Sequence, residues 1–256
     1  MSQGVLTDLT DGILTIQFNR PEAMNALHLE AFLTLEAALA NLDPEVRAVI
    51  VKGNERAFCS GADVSLMSPG QGSLGMEKIT QLMQTYRDVE VPVIAAVSGP
   101  AAGIGCSLAL MADYVLMSEK SYLMLAFTRI GLMPDGGATA LVAASAGRHR
   151  ALRMALTAEK LPATSALEWG LASEVVDPDL LDTRASEIAA TFANSATVAL
   201  GRTKRAINDA TLTELDAALG REATGQDALR ETEDYAEGVA AFLEKRPAVF
   251  KGVNRA

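Results

Sequence analysis

The period of the apolar positions changes repeatedly along this chain, and each change marks an element. Over residues 13–18, ILTIQF, apolar and polar side chains alternate as in a half-buried strand, and the TDG before it reads as a turn. From 27 to 42, LHLEAFLTLEAALANL, the period lengthens. Leu27, Phe32, Leu35, Leu39 and Leu42 fall near one helical face, and NLDPEVR ends the helix. Two continuous apolar runs follow, RAVIVKG (47–53) and VPVIAAVSG (91–99), each bounded by Gly or Pro, as strands covered on both faces are. Helical stretches at about 75–89 and from Gly103 to Ala112 alternate with these strands and with a further one, YVLMSE (114–119). Such alternation predicts an α/β fold with right-handed crossovers. From about residue 180 strand patterning stops, and LLDTRASEIAATFANSA, ATVALGRTKRAINDA and YAEGVAAFLEKR read as helices. The shift puts a boundary near 195, between a core of residues 1–195 and a helical region of residues 196–256. No internal repeat or low-complexity tract interrupts the pattern.

Composition narrows the partners. A chain of 256 residues, 49% hydrophobic, buries one large core, or one core with a small appendage. Its net charge of −10 offers no global field for a nucleic-acid backbone or an anionic membrane surface, so an anionic ligand needs a local basic cluster. Arg20 and Lys245 are candidates for one, although Lys245 and Arg246 also read as a solvated helix end. The start MSQGVLTDLTDG has neither the charge nor the apolar centre of a signal peptide, and no apolar run reaches the ~18 residues of a membrane span, so a cytoplasmic protein is expected. Cys59 and Cys106 lack metal or disulfide spacing and are expected to be small buried or near-site residues. The two histidines, His28 and His149, are expected on exposed helix faces, which leaves serines 60, 98 and 107 without a base and makes them turn or cap residues. No metal or redox cofactor is implied.

Glycine carries the chemical signal. Gly103-Ile104-Gly105 has the first half of a dinucleotide fingerprint, but the third glycine is missing. A different reading fits better. In AFCSGADVSLM (57–67) an apolar strand end runs into the sharp turn Ser60-Gly61-Ala62-Asp63, which exposes backbone N–H groups. In GPAAGIGCSLALMAD a small-residue loop opens a helix at Ile104, whose N–H lies at the positive end. Two such donors meeting at one point make an oxyanion hole. Downstream, FTRIGLMPDGGAT (127–139) holds one acid, Asp135, with Ile130, Leu132 and Met133 around it to desolvate it. The simpler role for Asp135 is that of a turn residue after Pro134.

In order and spacing, NRPEAMNAL (19–27), AFCSGADVSLM (57–67), AAVSGPAAGIGCSLALMADYV (95–115), IGLMPDGGAT (130–139), EWGLASEVV (168–176) and EGVAAFLEKRPAVFKG (237–252) resemble the enoyl-CoA hydratase/isomerase (crotonase) superfamily. The resemblance covers nearly the whole chain. It implies a spiral of ββα units with a C-terminal helical trimerisation region, an acyl-CoA thioester as substrate, coenzyme A present only as part of that substrate, and a homotrimer or dimer of trimers. It also implies that the N–H groups of Ala62 and Ile104 stabilise a thioester enolate and that Ala62 to Ser65, including Asp63 and Val64, lie along adenine and pantetheine. Met24 and Ala26 would line the CoA channel, with Ser60, Ser107, Phe127 and Lys245 completing the substrate-binding set.

The chain departs from the hydratase pattern at the catalytic positions. Family hydratases use two glutamates, and those places hold Ser107 and Phe127. The segment around Asp135 is similar to that of isomerase members, which place an aspartate there. One carboxylate suffices to take a proton from C2 of a 3-enoyl thioester and return it at C4. Hydration of a 2-enoyl-CoA with an unconventional partner for Asp135, and silent acyl-CoA binding, are the alternatives.

Overall fold

The computed structural model describes residues 4–67 and 75–253. The first three residues of the amino-terminal stretch and the last three of the helical region lie outside them.

Strands β1 (Val5–Thr10) and β2 (Ile13–Phe18) form an antiparallel hairpin, paired from Val5–Phe18 to Thr10–Ile13. The two-residue loop between them is Asp11-Gly12, at φ 50° and 75°, and this left-handed pair matches the twist of the strands it joins. Helix α1 (Leu29–Ala40) buries Phe32, Leu35 and Leu39 as expected, but it starts after Leu27. Strand β3 (Ala48–Lys52), helix α2 (Met76–Asp88), strands β4 (Val93–Val97) and β5 (Pro100–Ala102), helix α3 (Ile104–Met111) and strand β6 (Tyr114–Ser118) follow. Then come β7 (Tyr122–Met124), α4 (Ala138–Ala146), α5 (Arg148–Thr157), β8 (Leu161–Pro162), α6 (Ala163–Glu168) and β9 (Glu174–Val176). Four helices end the chain: α7 (Leu181–Ala193), α8 (Thr197–Thr211), α9 (Leu215–Arg230) and α10 (Glu233–Leu243).

The main sheet has the order β1-β2-β3-β4-β6-β9, parallel from β2 onwards. Its central strands are covered on both faces, as continuous apolar runs require. Val49, Val51, Val93, Ala95, Val97, Val115 and Met117 enter the main core with α1, α2 and α3. The alternate residues Ala48, Ile50, Ile94, Ala96 and Leu116 form a second core under Leu181, Ala185, Ile188 and Ala189 of α7.

A small second sheet, β5-β7-β8, stands beside the first. Isolated bridges, Cys59 to Ala101 and Leu27 to Ala62, stitch the loop after β3 to β5 and to the approach of α1. Helix α9 packs on α2 and α4, and α10 on the short 3-10 turn Ala126–Ile130. These two helices close the space between the stitched loops and the Asp135 segment. Among the described residues, no helix is long and apolar enough to cross a membrane.

Candidate active site

The bridge pattern decides where the Ala62 N–H points. Leu27 N–H donates to Gly61 O at 2.8 Å and Asp63 N–H to Leu27 O at 2.9 Å. In an extended segment successive amides face opposite ways, so the N–H of Ala62 turns away from Leu27. The second loop is fixed by Ala102 N–H on Cys59 O at 2.9 Å and Gly103 N–H on Met124 O at 2.9 Å. Gly103, at φ 54° and ψ −132°, turns the chain into α3 in a conformation that only glycine adopts readily. Ile104 is therefore the first helical residue, and its N–H has no partner within the helix. Among the described residues, neither the Ala62 nor the Ile104 N–H donates to a protein acceptor. A Cβ on Gly103 would stand 3.6 Å from Gly61 Cα, so the two loops touch.

Both residues line one cavity of about 560 Å³, a size that suits a small-molecule ligand. Its walls are mainly apolar, with Leu27, Phe32, Ile79, Met124 and Leu132 among them. Met24, Ala26, Ser60, Asp63, Val64, Ser65 and Phe127 line it as well, so the structure brings most of the expected set together. Asp63 caps the 3-10 turn Val64–Leu66 through Ser65 N–H at 3.1 Å and pairs with Arg20 Nη1 at 3.0 Å. Burial works to raise its pKa, but the hydrogen bonds from Ser65 and Arg20 outweigh it and hold the carboxyl below its ordinary value. Arg20 also donates to Ala26 O at 2.7 Å, so its guanidinium ties the approach of α1 to the Asp63 turn.

Asp135 lines the same cavity while only 5% exposed. Its Oδ2 accepts from Gln226 Nε2 at 2.7 Å, and the same amide donates to Met133 O at 2.8 Å. Its Oδ1 is buried without a protein partner. Burial pushes the carboxyl from 3.8 up to about 7; the Gln226 bond pulls it back, the Glu222 charge adds to the rise, and the Arg230 charge opposes it. A carboxyl poised there exchanges protons in both directions near neutrality.

Residues 8–253 match the model of the enoyl-CoA hydratase/isomerase family. The chain belongs to that family. This hydratase/isomerase is 35% identical over 261 residues to the 1,2-epoxyphenylacetyl-CoA isomerase of Escherichia coli, covering 98% of this chain and 100% of the relative. It is 34% identical over 243 residues to the 2,3-dehydroadipyl-CoA hydratase of the same organism, covering 94% and 95%. Among solved structures, an enoyl-CoA hydratase of Mycobacterium avium subsp. paratuberculosis superposes with a TM-score of 0.90 at 43% identity, covering 97% of this chain and 98% of that one. The fold is the crotonase-like one, with C-terminal helices after the α/β part.

Three expectations about this hydratase/isomerase need correction. Ser107 is not a cavity residue: it is fully buried behind the wall, and its hydroxyl donates to Asp135 O at 2.7 Å. Lys245 also lies outside the lining, exposed just past α10, where Arg246 pairs with Glu237 and Glu244. His28 is half-buried at the start of α1 and lines the cavity, whereas His149 is exposed. The remaining polar assignments follow the sequence. Cys59 and Cys106 are buried, with thiols pushed up to about 12 by desolvation. Ser60 and Ser98 donate to the carbonyls of Ala23 and Asn54.

The site also contains groups that pattern reading passed over, all from the last helices: Glu222 and Gln226, buried on α9, and Arg230, Phe242 and Leu243 on the cavity wall. One signal was available. In LDAALGREATGQDALR, Glu222 and Gln226 are one turn apart on the stripe that Leu215, Ala218 and Leu219 bury, and polar residues on such a stripe need partners.

Proposed function

We propose that this enzyme moves a double bond within an acyl-CoA thioester, with Asp135 as the single acid and base. The Asp135 carboxylate takes a proton from C2 of a 3-enoyl-CoA. The electron pair of that C–H bond forms C1=C2 as the carbonyl π pair moves onto oxygen, and the N–H groups of Ala62 and Ile104 receive the dienolate oxygen. When the carbonyl reforms, C2=C3 closes and the proton on Asp135 goes to C4. Nothing is added or lost, and no cofactor is consumed. The observation that carries this reading is that Asp135, whose Oδ1 is buried without a protein partner, lines the same cavity as Ala62 and Ile104, whose N–H groups are unspent.

Hydration of a 2-enoyl-CoA needs one group to activate water and another to protonate C2. Among the described residues, the other carboxylate on the cavity wall is Asp63, and it is held by Arg20 and Ser65. Relatives named as hydratases keep hydration as the second reading. Incubation with 3-enoyl-CoA and 2-enoyl-CoA, followed by thioester absorbance, separates the two. Migration lost in Asp135→Asn supports the proposal. Water addition to 2-enoyl-CoA without migration of 3-enoyl-CoA refutes it.

Helix α8, in the expected helical region, fits a packing surface between copies of this chain. Val198 and Ile207 of α8 are 78% and 56% exposed, apolar positions that a second subunit would cover. A trimer or dimer of trimers is expected by light scattering, and a stable monomer would contradict it.

A further inference from the structure

Two buried polar side chains one turn apart on α9 grip the Asp135 segment on either side of that residue. On the near side, Gln226 Nε2 bridges Met133 O at 2.8 Å and Asp135 Oδ2 at 2.7 Å. On the far side, Glu222 accepts from Gly137 N–H at 2.7 Å, Thr139 N–H at 3.0 Å and Thr139 Oγ1 at 2.6 Å, which caps the start of α4. Both side chains are fully buried. Burial raises the pKa of Glu222, and the donors from Thr139 and Gly137 pull it back. Two of its three partners are main-chain N–H groups, which can only donate, and they favour the charged form of Glu222. The reach of Gln226 to Oδ2 leaves Oδ1 as the oxygen with no protein partner.

We propose that Gln226 and Glu222 are positioning residues for the reaction, a clamp on α9 that fixes which oxygen of Asp135 meets the substrate and biases its charge from opposite sides. The proposal rests on the reading of Asp135 as the base. Gln226 donates to the carboxylate and favours its charged form, while Glu222 presents a like charge and disfavours it. Arg230, also on α9, is the other charge acting on Asp135. Asp63, Arg129 and His28 are the remaining titratable or charged residues on the cavity wall.

The test is the pH profile of kcat/KM for 3-enoyl-CoA migration, whose acid limb reports Asp135 in the free enzyme. In the wild type activity should rise through about pH 7. Gln226→Met keeps length and volume but removes the donor, and the limb should move up by about one pH unit. Glu222→Gln keeps shape and can leave its amide oxygen on Thr139, and the limb should move down. Gln226→Glu, nearly isosteric, serves if the Met variant does not fold; a second carboxylate there also moves the limb up.

Opposite displacements, with Asp135→Asn inactive, support the clamp. General damage to packing would lower activity at every pH without moving the limb, and that result, with Asp135→Asn still inactive, overturns the clamp alone. Full turnover by Asp135→Asn would sink the reading of Asp135 as base, and the clamp with it.

Discussion

Asp135 is held at a cost to stability that can be measured apart from catalysis. Its carboxyl titrates at 3.8 ordinarily and at about 7 in the folded chain, chiefly through burial. The folded state therefore binds this proton more tightly than the unfolded state. The group costs nothing below about pH 4, and the penalty grows as pH rises to about 7, where it levels off. At ~1.36 kcal/mol per pH unit, the full penalty is about 4 kcal/mol, and at pH 5 it is less than half of that. The side chain introduced by Asp135→Asn carries no charge, and its amide oxygen can still accept from Gln226. This variant should therefore be more stable than the wild type at pH 8, by roughly 10 °C in Tm for a chain of this size. The advantage should shrink to a few degrees at pH 5. Urea or thermal unfolding of both proteins at the two pH values, at matched ionic strength, measures the difference, and titrating groups that do not interact with Asp135 cancel from it. A difference that stayed constant between pH 5 and pH 8 would refute the claim that a desolvated charge resides on Asp135.

Further outcomes follow from the same geometry. Ser107→Ala should cost about 1 kcal/mol in urea unfolding, for the bond to Asp135 O, and leave migration within about tenfold of wild type, since it touches neither the base oxygen nor the N–H donors. Gly105→Ala should destabilise by about 2–3 kcal/mol and depress turnover, because a Cβ there would collide with Cys59 O and push α3 off the neighbouring loop. Calorimetry reads the first effect and steady-state assay the second. Free CoA at millimolar concentration should raise Tm through the cavity loops, and Arg20→Met, which removes the brace to Asp63 and Ala26, should reduce that gain.

The central strands were legible because they are buried on both faces, so residues 48–51 and Val93–Val97 read as unbroken apolar runs. Short strands were not. Pro100–Ala102, Tyr122–Met124 and Leu161–Pro162 have too few residues to establish a period, and they exist because the fold brings them together. Leu27 fits a helical stripe in sequence, yet its hydrogen bonds with Gly61 and Asp63 draw it into a bridge instead. At the site, both loops that carry the unspent N–H groups announced themselves through glycine, and Asp135 through its apolar neighbours. The groups that orient Asp135 did not, since a helix in which Glu222 and Gln226 sit among Ala, Gly and Thr looks like an ordinary solvated one. Ser107 was misplaced for a related reason: chain position does not reveal which side of a loop a small hydroxyl faces.

That both unspent donors of the cavity are main-chain N–H groups has a bearing on inheritance. No codon change at 62 or 104 deletes a backbone N–H, other than one to proline, so under the proposed mechanism the half of the site assigned to negative charge passes almost unaltered through sequence drift. The proton-handling half is a side chain, and one base change can exchange it. Positions 127 and 135 face the same chamber, and 107 supports it from behind. If the proposed mechanism holds, a lineage built on this plan can trade one enolate reaction for another by single substitutions at such positions while its capacity to hold the enolate is retained throughout.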